Sequence, residues 1–160
     1  MYDEDIFTKV KQMRRGKKNR EIMLRCQTPI KVRFSEVDSM SIVWHGEYVR
    51  YFEDAREEFG RQYKGLGYMD IYASGYLAPM VQMTLNYKYP LRCNDTAIVE
   101  IRYIACEAAK IIFEYEIRRE VDGIVVATGD SIQAFTDTKG VLQLNSPEFY
   151  KKWKKQWIKE

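Results

Sequence analysis

The chain has 160 residues, of which 46% are hydrophobic, and a formal net charge of +3. This length suits one domain with an ordinary core, and so high a hydrophobic content excludes a largely disordered protein. The first 25 residues hold eight basic and four acidic groups, so the remainder sums to −1, and the body of the protein lacks the basic surface that nucleic acid binding needs.

The two ends of the chain are predicted to flank a single domain. Residues 1–25 form a basic N-terminal extension, residues 26–146 the domain, and residues 147–160 a basic C-terminal helix. Residues 9–20 hold seven basic groups and no acid. Such a run could contact RNA or anionic lipid, but a solvated terminus is the simpler interpretation, so a nucleic acid partner is not expected.

The composition also bears on compartment and on metals. No apolar segment follows the first residues, and the longest aliphatic run covers residues 124–127, so we expect no signal peptide, no membrane partner and a cytoplasmic location. Three scattered cysteines without a C-x-x-C spacing indicate reduced thiols. With one histidine they give no recognisable ligand set, so we predict neither a metal nor any other cofactor.

The first elements in chain order are a strand and a long helix. Residues 28–36 alternate apolar and polar side chains, with Ile30, Val32 and Phe34 on one side, which predicts a half-buried strand. A helix is predicted from Gly46 to about Gly65, because aromatic and small residues recur there at three- and four-residue steps: Tyr48, Phe52, Ala55, Phe59 and Tyr63.

Four strands and a short helix are predicted to follow. The strands cover residues 77–90, 96–106, 110–121 and 124–137, and Asp122-Gly123 predicts a tight hairpin between the last two. The helix covers residues 147–158, with Pro147 as its first residue. This order predicts an α+β domain, an antiparallel sheet of about five strands wrapped around one long central helix. Its unpaired sheet edges favour dimerisation.

The segment between the first strand and the long helix carries the candidate chemistry. Asp38 lies in a polar turn, and His45, the sole histidine, follows seven residues later at the start of the helix. A carboxylate near the free N–H groups of a helix start can serve reactions at a carbonyl. Equally, Asp38 could simply cap the helix, and His45 could contribute through its backbone alone.

The segment from Asp38 to Phe59 resembles the hotdog-fold acyl-CoA thioesterases, in the 4-hydroxybenzoyl-CoA thioesterase-like branch. The matching features are an Asp, an aromatic-His pair at residues 44–45, a Tyr three residues later at Tyr48, and an acidic-x-Ala-Arg sequence at residues 53–56. The resemblance extends more weakly over residues 28–140. This family usually has glycine where the chain has Ser41, and glycine there would permit a turn with positive φ or a close approach of substrate.

The resemblance implies an acyl-CoA thioesterase that releases a carboxylic acid and free coenzyme A. It implies that Asp38 attacks the thioester or activates water, and that the backbone N–H at His45 binds the thioester oxygen. Tyr48 is placed near the acyl group, and Lys88 and Lys110 are candidates for the coenzyme A phosphates. The implied active site lies between two subunits of a homodimer or homotetramer.

Two alternatives stay open from the sequence. The first is a hotdog protein that binds acyl-CoA without hydrolysing it. The second is an acyl-carrier-protein thioesterase, for which the lysines of the C-terminal helix would supply a surface for an acidic carrier.

Overall fold

A computed structural model of the protein describes residues 21–158. The basic run at residues 9–20, and with it most of the predicted extension, lies outside the described residues. Among the helices of the described part, none combines the length and the apolar composition needed to cross a lipid bilayer.

The described chain forms one large sheet, one long helix and smaller elements. The sheet strands are β1 (Ile22–Lys31), β3 (Met80–Tyr87), β4 (Thr96–Ile104), β5 (Lys110–Arg119) and β6 (Val125–Ala134). The helices are α1 (Glu47–Gln62), α2 (Tyr68–Ala73) and α3 (Glu148–Trp157), and a 3-10 turn covers Phe34–Glu36. Two short strands, β2 (Tyr76–Leu77) and β7 (Thr136–Asp137), pair separately.

The large sheet is antiparallel throughout, in the order β1-β4-β5-β6-β3, so β1 and β3 are its edges. Helix α1 lies on its inner face and packs mainly against β1 and β4. The predicted α+β architecture, with five strands wrapped around one helix, is confirmed. The predicted Asp-Gly hairpin is confirmed as well, since Gly123 has a φ of 69° between β5 and β6.

The apolar stripe of α1 forms the centre of the core. Tyr48, Phe52, Ala55 and Phe59 are all at most 3% exposed, as their spacing predicts. The Phe52 ring stacks on that of Tyr115 in β5, with centroids 4.1 Å apart and planes 14° apart.

The prediction for the first strand, residues 28–36, was wrong at both ends, because the strand already begins at Ile22. Strand β1 ends at Lys31, and Phe34 is 83% exposed in the 3-10 turn. Beyond Lys31 the chain bonds to the turn before β4 and no longer to the strand itself: the Val32 N–H donates to the carbonyl of Asp95, and the Val32 carbonyl accepts from the N–H of Asn94. The alternation of apolar residues therefore continues past the point where the pairing ends.

The predicted strand over residues 77–90 is divided in two. Leu77 belongs to β2, and β3 begins only at Met80, after Pro79, which has no N–H to donate to a ladder. Helix α2 was not predicted, since six residues are too few to show a helical period. The carboxylate of Asp70 accepts hydrogen bonds from the N–H groups of Gly65 and Gly67 and so caps the start of α2.

Helix α3 packs across the C-terminal end of α1. Tyr150 and Trp153 are at most 3% exposed, and the Trp153 indole donates to the carbonyl of Tyr63 at 2.9 Å. The predicted helix is confirmed with one change: Pro147 is the N-cap, and Glu148 is the first helical residue.

Gly129 in β6 lies directly beneath α1, which makes it a test of this packing. A Cβ atom there would lie 2.4 Å from the carbonyl oxygen of Thr84 and 2.7 Å from the Phe52 ring. We expect Gly129→Ala to lower the free energy of unfolding by about 1–3 kcal/mol, measured by urea denaturation.

The matched control is Thr128→Ala, which changes the adjacent residue on the outer face of the same strand. We expect a loss below about 1 kcal/mol there. Equal losses for the two variants would contradict the close approach of α1 to Gly129.

Candidate active site

Asp38 lies in a short hairpin that leads directly into α1. The Asp38 N–H donates to the carbonyl of Ile42 at 2.9 Å, and the Trp44 N–H donates to the carbonyl of Glu36 at 2.9 Å. These bonds fix the aspartate and the start of the helix relative to each other, although seven residues separate Asp38 from His45.

The Asp38 carboxylate is half-buried and is oriented by its own turn. The side-chain oxygen Oδ1 accepts a hydrogen bond of 2.7 Å from the N–H of Met40. The backbone carbonyl of Asp38 accepts from the N–H of Ser41 at 3.0 Å. An Asx turn of this kind holds one carboxylate oxygen in place. No described residue bonds Oδ2, so this oxygen is available to accept a proton or to attack.

Ser41 occupies the backbone conformation that favours glycine. Its φ is 61°, in the left-handed region, where a non-glycine residue costs about 1–2 kcal/mol. The serine thus keeps the turn geometry that glycine would give, and the hydrogen bonds of the Asp38 turn are intact.

The residues just before α1 present two backbone N–H groups. The Glu47 N–H donates to the carbonyl of Trp44 at 2.9 Å, which closes a turn around His45 and Gly46. Within residues 21–158, no group accepts a hydrogen bond from the N–H of His45 or from the N–H of Gly46. Two adjacent free donors at the N-terminus of a 16-residue helix suit a developing negative charge on oxygen.

The Trp44 ring lies directly over Gly46. A Cβ atom on Gly46 would lie 2.2 Å from that ring. The indole therefore covers the turn, and its side chain is 47% exposed. Phe34 and Met40 add exposed apolar surface on the same segment, at 83% and 69%, so the Asp38 hairpin presents apolar groups to its surroundings.

Tyr87, at the end of β3, ties the sheet to the start of the helix. Its hydroxyl donates to the carbonyl of His45 at 2.7 Å, and its ring contacts that of Tyr48 with centroids 5.1 Å apart. The sequence did not single out Tyr87 as a site residue. Its only signal was its place in the weakly matching Asn-Tyr-Lys-Tyr-Pro segment, and the bond spans 42 residues.

The predicted site residues near the helix start differ in exposure. The His45 ring is exposed and lies 5.0 Å from the ring of Trp44. Tyr48 is only 3% exposed, and burial raises the pKa of its hydroxyl, with a smaller opposing effect from the backbone at Leu91. The Tyr48 hydroxyl is therefore neutral and packed in the core, and its contact with an acyl group stays a prediction.

The two predicted phosphate contacts lie at opposite ends of the sheet. Lys88 is exposed and directly follows Tyr87. Lys110 begins β5 and pairs with Ala134 of β6. Tyr87 pairs with Ala127, seven residues earlier on β6, which corresponds to about 23 Å. One chain therefore brings Asp38, His45, Tyr48 and Lys88 to one end of α1 and leaves Lys110 at the other.

Glu36, the second carboxylate of this segment, has a structural role. Its Oε1 accepts from the N–H of Arg33 at 2.7 Å and from the hydroxyl of Tyr51 at 3.2 Å. Both bonds engage the same oxygen and hold the 3-10 turn against α1. In the described part of the chain, no group of three or more His, Cys, Asp or Glu side chains could hold a metal ion.

A sequence profile of the thioesterase-like superfamily matches residues 32–154. The chain belongs to the thioesterase-like superfamily. Its relatives in this superfamily include a putative acyl-CoA thioesterase, YneP, from Bacillus subtilis. The two are 33% identical over 88 residues, which are 55% of this chain and 63% of the relative.

A second relative is the chloroplastic acyl-acyl carrier protein thioesterase ATL3 of Arabidopsis thaliana, 26% identical over 113 residues, or 71% of this chain and 59% of that protein. The chain thus spans less than two thirds of the length of either relative. Both relatives carry the name of a thioesterase.

Solved structures agree on the fold. The DHNA-CoA thioesterase of Staphylococcus aureus superimposes with a TM-score of 0.73 at 23% identity, over 84% of this chain and 91% of that one. The predicted hotdog fold is confirmed. The roles of individual site residues stay predictions that rest on the geometry above.

The Ser41 conformation gives a stability test for the Asp38 turn. We expect Ser41→Gly to raise the free energy of unfolding by up to about 1 kcal/mol, because relief of the left-handed strain exceeds the added freedom of the unfolded chain. Ser39→Gly is the matched control, since Ser39 lies in the same turn without a positive φ. It should lose about 0.5–1 kcal/mol. Stabilisation by both variants, or by neither, would contradict the strain at Ser41.

The bond from Tyr87 to His45 gives a second test. We expect Tyr87→Phe to lower the free energy of unfolding by about 0.5–1.5 kcal/mol, since it removes one hydrogen bond while keeping the ring. Tyr89→Phe is the control: Tyr89 is exposed to a similar extent, and its hydroxyl bonds no described residue. Urea denaturation of both variants measures the difference, and equal losses would show that the bond to His45 contributes nothing.

Proposed function

We propose that the protein is an acyl-CoA thioesterase that hydrolyses its substrate to a carboxylic acid and free coenzyme A. The observation that carries the proposal is the hairpin that connects a half-buried, oriented Asp38 carboxylate to the turn with the two free N–H groups at residues 45 and 46. A carboxylate and paired amide donors are the two functions that attack on a thioester carbonyl requires.

In the proposed reaction, the thioester oxygen accepts hydrogen bonds from the N–H of His45 and from its neighbour Gly46. Asp38 either takes a proton from the attacking water or adds to the carbonyl carbon itself, giving an anhydride that water then cleaves. Both routes break the carbon–sulfur bond, and the sulfur leaves as the thiolate of coenzyme A and takes up a proton. Both also use the same carboxylate oxygen.

Tyr87 has a positioning role in this scheme. By donating to the carbonyl of His45, its hydroxyl fixes the turn whose N–H groups face the substrate. Donors held in place before the reaction are worth more than donors that must reorganise. Tyr48, packed behind Tyr87, completes a wall beside the thioester.

The proposal includes a second subunit. Edge strand β3 lacks a neighbour on one side in the described sheet, and the Asp38 hairpin exposes Phe34, Met40 and Trp44. A homodimer or homotetramer would cover such surface. It would also allow Lys110 of one subunit to serve the phosphates of a substrate held by the other, with Lys88 as the contact nearer to Asp38.

Substitution of Asp38 and His45 separates the roles of the two residues. We expect Asp38→Asn to lower kcat by about 10²–10⁴-fold, since the amide keeps an acceptor for Met40 but is neither base nor nucleophile. His45→Ala should lower kcat less than about tenfold, because it keeps the N–H that binds the oxygen.

The measurement is thiol release from a panel of aliphatic and aromatic acyl-CoA substrates. Equal losses of kcat in the two variants would show that His45 acts in catalysis mainly through its imidazole ring and not through its backbone N–H. If the wild-type protein binds acyl-CoA and releases no thiol from any substrate, the chain is a binding protein and the proposed hydrolysis is wrong.

A further inference from the structure

Helix α3 presents a row of lysines to solvent. Lys151, Lys152 and Lys155 are exposed and, at steps of three and four residues, lie on the face opposite the buried Tyr150 and Trp153. We refer to these three lysines as the lysine surface.

The lysine surface stands on a firmly held helix. The indoles of Trp153 and Trp157 donate to the carbonyls of Tyr63 and Lys64 at 2.9 and 3.0 Å. The hydroxyl of Tyr150 lies 2.6 Å from that of Tyr103. These bonds join α3 to the end of α1 and to the sheet, so its outer face is preorganised for contact with a partner.

The charges of the lysine surface are not neutralised by the described part of the chain. The ion pairs found there all use arginine, and none involves Lys151, Lys152 or Lys155. Lys154 differs, because its ammonium group donates to the carbonyl of Cys106 at 2.6 Å and lies 4.5 Å from the Tyr150 ring. Lys154 therefore anchors the helix, and the other three lysines remain for an external anion.

We propose that the lysine surface docks an acidic acyl carrier protein, which delivers the acyl group as a thioester. This proposal rests on the proposed function, which it extends by naming the carrier of the substrate. Complementary charge speeds and orients encounters between proteins, and an acidic protein surface is the natural partner for three exposed lysines on one rigid helix.

The surroundings of the lysines favour a protein over a membrane or a nucleic acid. Helices that lie on membranes expose aromatic or aliphatic groups beside their lysines, and proteins that bind single strands expose rings for base stacking. In α3 the aromatic residues instead contact their own chain: Phe149 packs on Phe135 and Trp157 on Tyr63.

The position of the lysine surface fits delivery by a carrier. Helix α3 lies at the C-terminal end of α1, and the His45 turn lies at the other end. The 16 residues of α1 separate the two by about 24 Å. A carrier protein holds its thioester on a long flexible arm, so its docking surface and the reacting atoms need not adjoin.

The test compares one acyl group on two carriers, coenzyme A and a purified acidic acyl carrier protein. The variant is Lys151→Glu with Lys155→Glu. The matched control, Lys31→Glu with Lys139→Glu, reverses the same number of exposed lysines elsewhere. For the α3 variant we expect kcat/KM to fall about tenfold or more toward the acyl carrier protein, through KM, and less than about twofold toward acyl-CoA.

The control should change either value less than about twofold. Equal losses for the two variants, or no loss in the α3 variant, would overturn the docking proposal. Should the glutamate pair disturb folding, seen as a lower Tm, the pair Lys151→Gln with Lys155→Gln removes the charges alone and should still raise KM toward the acyl carrier protein.

Direct binding separates this proposal from the proposed function. If the wild-type protein hydrolyses neither thioester, the proposed function fails. Docking is then judged by fluorescence anisotropy of the labelled carrier protein, whose binding should weaken with added salt and with the α3 variant. Absence of wild-type binding, or tighter binding of RNA or of anionic phosphatidylserine vesicles, would overturn the docking proposal.

Discussion

The contact between Phe52 and the sheet sets how closely α1 approaches β5 and β6. The ring stacks on Tyr115 and passes over Gly129, where a side chain would collide with it. Because β6 has no side chain at that position, α1 settles deep in the curve of the sheet. That depth sets where the first turn of the helix meets the Asp38 hairpin and where the last turn meets α3.

The helix is held at both ends as well as in the middle. At its start, Tyr87 donates to the carbonyl of His45, and at its end the indoles of α3 donate to the carbonyls of Tyr63 and Lys64. Carbonyls at a helix C-terminus have no partners within the helix, so α3 satisfies groups that would otherwise need water. The candidate catalytic turn is thus carried by a rigid element, as accurate placement of donors requires.

Features determined by residues close together in the sequence could be predicted, and features made by contacts between distant residues could not. The stripe from Tyr48 to Phe59 shows a helical period, and Asp122-Gly123 has the chemistry of a tight turn. By contrast, the end of β1 depends on pairing of Val32 with Asn94 and Asp95, some 60 residues away. The Asp38 turn was found because its residues are consecutive, whereas Tyr87 reaches His45 only through the fold.

The distribution of charge along α1 constrains how any carrier can be held. Asp38 and the free amides lie at one end of the helix, while Lys110 and the lysine surface of α3 lie at the other. If Lys110 binds the phosphates of a coenzyme A thioester, that substrate must extend about 23 Å along one chain or cross to a second. A second subunit could pair its own β3 antiparallel to this β3, because β3 is an edge strand of the described sheet. The Lys110 end of the second subunit would then lie on the same side as Asp38 of the first, which would shorten this path. An acyl carrier protein docked on the lysine surface would meet the same constraint, because α3 lies at the same end of α1 as Lys110.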